Sequence, residues 1–246
     1  MSDKELVLVV DFGAQYAQLI ARRVRQVQVY SEIIPSSFTA AQILALKPKA
    51  IVLSGGPSSV YESGAPALDP EIFKAGIPIF GICYGFQLQA QSLGGVVSKT
   101  GLSEFGRTAL TRKGSSELLD ATPQSFNVWM SHGDSVTQVP EGFNVTASTA
   151  GAEIAAYENA QTRSAGVQFH PEVLHSEFGQ EILRKWLLDI VGLSPTWNME
   201  NVITSEVARI KSVVGNKRVI CGLSGGVDSA VAAALVQKAI GNQLTC

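Results

Sequence analysis

The pentapeptide Gly81-Ile82-Cys83-Tyr84-Gly85 most constrains what this chain can fold into. An apolar run over 77–82 leads into it and an apolar stretch over 84–93 follows, so a strand turns directly into a helix. A Gly-x-nucleophile-x-Gly sequence at such a junction describes a sharp elbow. Its central side chain sits on a strained turn, and its glycines admit neighbouring backbone. Strain of this kind costs about 1–3 kcal/mol and persists only where the surroundings enforce it. Here the central residue is a cysteine at a helix N-terminus, where partial positive charge favours the thiolate. By itself the pentapeptide is equally compatible with an ordinary buried strand–helix turn.

A cysteine nucleophile needs a base, and the base needs a carboxylate to orient it. The chain has three histidines, His132, His170 and His175. Val167-Gln168-Phe169-His170-Pro171-Glu172 ends an apolar run with His and Glu two residues apart. Alternate residues of an extended segment share a face. Pro171 fixes its own φ and biases His170 toward extended geometry, so imidazole and carboxylate are expected to point the same way. A surface His-Pro-Glu turn would read alike in isolation. Together with the elbow, a Cys83-His170-Glu172 triad is the better expectation, and His175 needs no catalytic role.

In this order and within these local sequences, Cys83, His170 and Glu172 resemble the triad of the class I (triad-type) glutamine amidotransferases. Leu53-Ser54-Gly55-Gly56-Pro57, after a strand over 50–53, is similar to that family's oxyanion loop. The resemblance implies that the N–H groups of Gly56 and Tyr84 receive the oxyanion; removing one such donor lowers rates by about 10²–10³. Gln87 matches the family's glutamine-binding residue, the alternative being a solvated helix position. Asp11-Phe12-Gly13-Ala14-Gln15-Tyr16 and Trp129-Met130-Ser131-His132-Gly133-Asp134 look like the branch of the family that aminates XMP. There His132 and Asp134 would face the backbone charges of glutamine, although His-Gly-Asp is also an ordinary turn.

A second motif lies further on. Val219-Ile220-Cys221-Gly222-Leu223 reads as a strand, Ser224-Gly225-Gly226-Val227-Asp228-Ser229 as a loop, and 230–240 as an alanine-rich helix. Strand, Gly-rich loop and helix together form an anion site, because free N–H groups and the helix dipole converge. The loop lacks the Gly-Lys-Ser/Thr ending of a Walker motif. It resembles the Ser-Gly-Gly-x-Asp-Ser pyrophosphate loop of N-type ATP pyrophosphatases. That resemblance implies ATP with Mg2+, residues 224–229 gripping the β and γ phosphates. An amidotransferase followed by this loop implies that ammonia from glutamine is passed to adenylylated XMP, giving GMP, AMP and pyrophosphate. The glutamine step itself would need no cofactor.

Three rival readings remain open at this point. One is the glutaminase half of another amidotransferase, against which the Ser224–Ser229 loop argues. Another is a cysteine hydrolase of related fold acting on γ-glutamyl peptides. The third is an inactive binding module whose triad is intact only in sequence.

The remaining composition sets bounds. Of 246 residues, 46% are hydrophobic and 16% charged, which suits a well-buried α/β protein. A net charge of −2 gives no electrostatic case for nucleic acid or an acidic membrane. Every apolar run falls short of the ~18 residues of a membrane span, and the first strand starts at Leu6 without a signal-peptide pattern. Three cysteines, one an apparent nucleophile, fit a reducing cytoplasm better than a disulfide framework. Neither Cys221, in a buried-strand pattern, nor Cys246 has a partner set suggesting a metal.

Strands over 6–11, 29–34, 50–53 and 77–82 alternate with helices over 15–25, 39–46 and 84–93. That rhythm predicts a doubly wound, mainly parallel sheet with its site at the C-terminal ends of the strands. Short β patterns over 95–160 read as hairpins extending it, and 165–169 as a returning strand. A helix over 176–191 closes a domain spanning 1–192, a linker covers 193–198, and a helix from 197 to 214 opens a second domain spanning 199–246. That stretch is too short for the several strands of a pyrophosphatase domain, so it is expected to bury little surface and to leave strand edges unpaired. The chain is therefore expected to be an N-terminal fragment, with glutaminase activity at most. The resemblance further implies homodimerisation through a domain outside it.

Overall fold

In the computed structural model, residues 5–246 are described, and the chain divides into two compact units, Met1–Pro195 and Thr196–Cys246. The first unit begins β1 (Leu6–Asp11), α1 (Ala17–Gln26), β2 (Tyr30–Pro35), α2 (Ala40–Ala45) and β3 (Ala50–Leu53). β4 (Ile79–Ile82) and α3 (Tyr84–Ser92) follow, then seven strands: β5 (Val96–Ser98), β6 (Glu104–Arg112), β7 (Ser125–His132), β8 (Ser135–Gln138), β9 (Asn144–Ser148), β10 (Ala156–Asn159) and β11 (Ser164–Val167). α4 (Gly179–Arg184) then runs into a π-helical stretch, Lys185–Ile190.

Nine strands form one sheet in the order β2-β1-β3-β4-β11-β10-β9-β6-β7. The five from β2 to β11 run parallel, and the rest extend the sheet by antiparallel pairing. β5 and β8 make a separate antiparallel pair.

The parallel half is buried on both faces, which explains its nearly continuous apolar sequence. Alternation along β1 sends Val7 and Val9 to the cluster that holds α1 and Trp186. Leu8 and Val10 go to the opposite cluster, with Ile43 of α2 and Tyr84 and Leu88 of α3. α1 buries Ala17, Ile20, Ala21 and Val24, the i, i+3, i+4, i+7 stripe of an amphipathic helix. Thr39 and Gln42 close a reciprocal capping box at the start of α2. Pairing of Val167 with Ile82 sets the ends of β11 and β4 side by side, and the Cys83 N–H donates to Val167 O at 2.9 Å. The chain leaving each strand therefore enters the same region above the sheet.

Two sequence expectations shift here. The helix expected from 176 starts at Gly179, after Phe178 at φ 60°. Residues 176 and 177 are drawn to β7 instead: the Ser176 hydroxyl accepts from Trp129 N–H, and the Glu177 N–H donates to Asn127 O. In the second unit, the strand expected over 219–223 is only Val219–Ile220, β12, paired in parallel with β13 (Leu244–Thr245).

That unit also contains α5 (Met199–Val214) and α6 (Val227–Ile240), so Val227, Asp228 and Ser229 lie in the first turn of α6 rather than before it. The Asn198 side chain caps α5 by accepting from Asn201 N–H at 2.8 Å. Val213, Ile220, Leu223, Val227 and Val231 are exposed. No helix among the described residues is long and apolar enough to cross a membrane.

Candidate active site

Cys83 occupies the junction of β4 and α3 at φ 52°, ψ −104°, where an L-residue is strained. Close packing around it enforces that conformation. A Cβ on Gly85 would come within 2.5 Å of Leu53 O, and one on Gly81 within 2.6 Å of Phe86 Cα. The flanking glycines thus serve close backbone approach, and the cysteine itself takes the positive φ. Cys83 is 8% exposed, and its Sγ lies 3.5 Å from Ser131 O.

His170 follows β11, its N–H bound to Trp129 O and its own carbonyl accepting from the Ser176 hydroxyl at 2.6 Å. Its Nδ1 lies 2.8 Å from Glu172 Oε1, leaving Nε2 for the thiol. Burial works against a charged imidazole, but hydrogen bonds and charge from Cys83 and Glu172 overcome it and raise the His170 pKa to about 11. Glu172 is fully buried; Arg23 of α1 donates to its main-chain carbonyl at 2.7 Å. The Tyr16 ring meets the His170 ring edge-on at 5.5 Å. Structure therefore gathers all three expected triad residues at one point. His175 lies outside the triad, exposed and against Trp129.

The loop after β3 passes beside the elbow. A Cβ on Gly56 would come within 2.6 Å of Tyr84 Cγ, so loop backbone packs directly on that ring. Tyr84 is the first residue of α3, and its N–H has no intrahelical partner. Both expected oxyanion donors, Gly56 and Tyr84, line one cavity of about 740 Å³ with Cys83, Gln87 and Asp134.

Gln87 is buried rather than solvated, and its Nε2 donates to Asp134 O at 2.8 Å and to Gln168 Oε1 at 2.9 Å. With both amide protons engaged, what it has left to offer is Oε1. The Asp134 carboxylate accepts from the Ser59 hydroxyl and from the Tyr61 hydroxyl at 2.7 Å. That bond also raises the Tyr61 pKa above its ordinary value. His132 lies at the same wall, but both its ring nitrogens meet protein partners, Asp134 O and Glu104. Sequence reasoning singled out neither Ser59, Tyr61, Glu104 nor Arg23. Tyr16, Ser131 and Gln168 fell inside quoted motifs without being assigned a part. Each acts through a contact more than twenty residues away in sequence, and nothing local marks it.

In the second unit, Ser224, Gly225 and Gly226 form an exposed turn before α6, with Gly225 at φ 82°. The Ser224 hydroxyl donates to Ser229 Oγ at 3.0 Å, and the Ser229 hydroxyl donates to Gly226 O at 2.9 Å. Cβ atoms at Gly222 or Gly225 would meet nothing within 4 Å, so there is open space beside the turn that leads into the 14-residue α6. The Gly226 N–H donates to Ser224 Oγ at 3.4 Å, and the space at the head of the helix has room for a phosphate chain.

The family described as Glutamine amidotransferase class-I matches residues 8–190, and that described as NAD synthase matches residues 197–246. A GMP synthase [glutamine-hydrolyzing] of Streptomyces coelicolor is 62% identical over 98% of this chain and 46% of its own length. One from Thermobifida fusca is 60% identical over 98% and 46%. The chain thus spans about half the length of the curated relatives it matches. Among solved structures, a putative GMP synthase protein of Thermoplasma acidophilum aligns with a TM-score of 0.68 at 28% identity, covering 76% of this chain and 94% of that one. A Thermotoga maritima glutamine amidotransferase shares the fold, with a TM-score of 0.61 at 19% identity over 77% and 99%. With the family match spanning the elbow, the His-Pro-Glu segment and the sheet that joins them, this chain belongs to the class-I glutamine amidotransferases.

Proposed function

We propose that the first unit hydrolyses glutamine to glutamate and ammonia through Cys83, His170 and Glu172. In a chain of the curated relatives' full length, the ammonia would aminate XMP to GMP at an ATP-consuming second site. One observation carries the glutaminase reading: Cys83 stands on a strained elbow at a helix N-terminus, hydrogen-bonded to His170, whose Nδ1 is held by Glu172 at 2.8 Å. A thiolate beside an imidazolium is the form that attacks a carboxamide.

The Cys83 thiolate adds to the carboxamide carbon, and the oxyanion takes the N–H groups of Gly56 and Tyr84. His170 gives its proton to the departing nitrogen, and ammonia leaves a γ-glutamyl thioester. Now neutral, His170 takes a proton from water, whose oxygen attacks that thioester. Glutamate departs, and thiolate and imidazolium are restored. Glu172 holds the ring orientation throughout. Asp134 would receive the α-ammonium of glutamine, and Gln87 Oε1 would accept from a substrate N–H. A reducing, cytoplasmic setting suits a reaction that needs Cys83 as a free thiol.

Residues 224–229 would hold the phosphates of ATP, whose chemistry is to adenylylate an oxygen of XMP and so make a leaving group. Main-chain N–H groups and the Ser224 and Ser229 hydroxyls would bind the phosphate oxygens. Asp228 is the carboxylate at hand for an accompanying Mg2+, which commonly takes one or two carboxylates besides phosphates and water.

The test is glutamine-dependent ammonia release by this chain beside a Cys83→Ala control. Release that disappears in the control supports the triad; release that persists in it refutes the triad. For the second half, amide-labelled glutamine given with XMP and ATP to this chain extended to the relatives' full length should label GMP, and unlabelled product refutes transfer.

A further inference from the structure

We infer that His132 and Glu104 are a positioning pair that holds the substrate-facing wall of the cavity, and that His132 does not itself bind substrate. The inference rests on the glutaminase reading above. The His132 side chain is 1% exposed, with Nδ1 2.9 Å from Asp134 O and Nε2 3.1 Å from Glu104 Oε2. Both partners face it with oxygens that accept. Glu104 Oε2 also accepts from the Thr149 hydroxyl at 2.6 Å, and Oε1 accepts from Gly151 N–H at 3.0 Å. The imidazole thus bridges a main-chain carbonyl and a carboxyl group that is itself fixed by two further donors. The pocket is shaped for this pair: a Cβ at Gly151 would come within 2.6 Å of Glu104 Cγ.

What the pair holds is the turn from β7 to β8. Ser131 O, in β7 just before that turn, faces Cys83 Sγ, Asp134 O receives both His132 and Gln87, and the Asp134 carboxylate points to Ser59 and Tyr61. Glu104 on β6 is thus tied through one ring to the residue that would meet the α-ammonium. Removing one end of a buried hydrogen-bonded pair leaves the other without its partner, and the turn relaxes to solvate it. The penalty should fall on glutamine binding, because the elbow fixes Cys83, Glu172 orients His170, and the oxyanion loop is packed on Tyr84.

Two measurements test this. In the unmodified chain, diethyl pyrocarbonate mapped by mass spectrometry should spare His132, both of whose ring nitrogens are held, relative to exposed His175; reaction of His132 as fast as His175 overturns the geometry. Glu104→Ala should raise the KM for glutamine about tenfold, the factor set by losing a hydrogen bond to a charged group. Its kcat, and alkylation of Cys83 by iodoacetamide followed by mass spectrometry, should change little. Glu104→Gln keeps the reach to His132 Nε2 and Gly151 N–H, so it should recover most of the loss in KM. An unchanged KM in Glu104→Ala overturns the inference. So does an equal fall in kcat and alkylation, which would mark general collapse of the site. If wild-type chain releases no ammonia, the glutaminase reading fails by itself; a His132 spared by the reagent would still uphold the pairing.

Discussion

Nδ1 of His170 lies 2.8 Å from Oε1 of Glu172, two residues along the chain and across a proline, with both side chains buried. Burial opposes the charged ring, yet Cys83 and Glu172 raise it from 6.5 to about 11. A pKa raised on folding contributes stability that is fully present below the unfolded value and is lost as pH rises through the folded one. Wild-type protein should therefore lose urea resistance between about pH 6.5 and about pH 11 more steeply than Glu172→Gln does. Parallel midpoint curves for the two proteins would show that this pair does not hold the proton.

The same pair predicts a kinetic effect. Glu172→Gln keeps the shape but removes the charge that orients and protonates the ring. Ammonia release should fall by about 10²–10⁴, the usual contribution of a positioned acid–base group. Steady-state rates at saturating glutamine measure it, and a loss of under tenfold would take Glu172 out of the triad.

Strain at the elbow can be read by comparing two inactive variants. Cys83→Ala keeps a Cβ at φ 52°, whereas Cys83→Gly removes it. Relief of about 1–3 kcal/mol of strain is offset by roughly 0.5–1 kcal/mol of extra glycine entropy in the unfolded chain. Cys83→Gly should thus be more stable than Cys83→Ala by about 1 kcal/mol in chemical denaturation. Equal stabilities would mean that the surroundings do not force the turn.

What could be read in the sequence was the part carried by local patterns. The strand over 6–11, the helix over 15–25 and the Gly81-to-Gly85 elbow each depend on residues within a few positions of one another. The His170–Glu172 pair was legible for the same reason. Tertiary partners were not. Nothing near Ser176 says that its hydroxyl takes Trp129 N–H and delays α4. Likewise nothing near His132 shows Glu104, twenty-eight residues earlier, filling its second nitrogen. The residues expected to bind a ligand were thus easier to see than those that hold them.

The oxyanion loop gives the sharpest remaining test. A methyl group at Gly56 would sit 2.6 Å from Tyr84 Cγ and 2.8 Å from Cδ1. The ring cannot swing aside, since it is 2% exposed, its hydroxyl is bound to Pro66 O, and Phe12 packs on it at 5.3 Å. The loop must back away instead and take its N–H with it. Gly56→Ala should lose about 1–3 kcal/mol of stability through overpacking and about 10²–10³ in kcat through the missing donor. Alkylation of Cys83 by iodoacetamide forms no oxyanion, so its rate should stay near wild type. An unchanged kcat would remove Gly56 from the oxyanion hole, and alkylation falling in step with kcat would mean that the elbow itself had been disturbed.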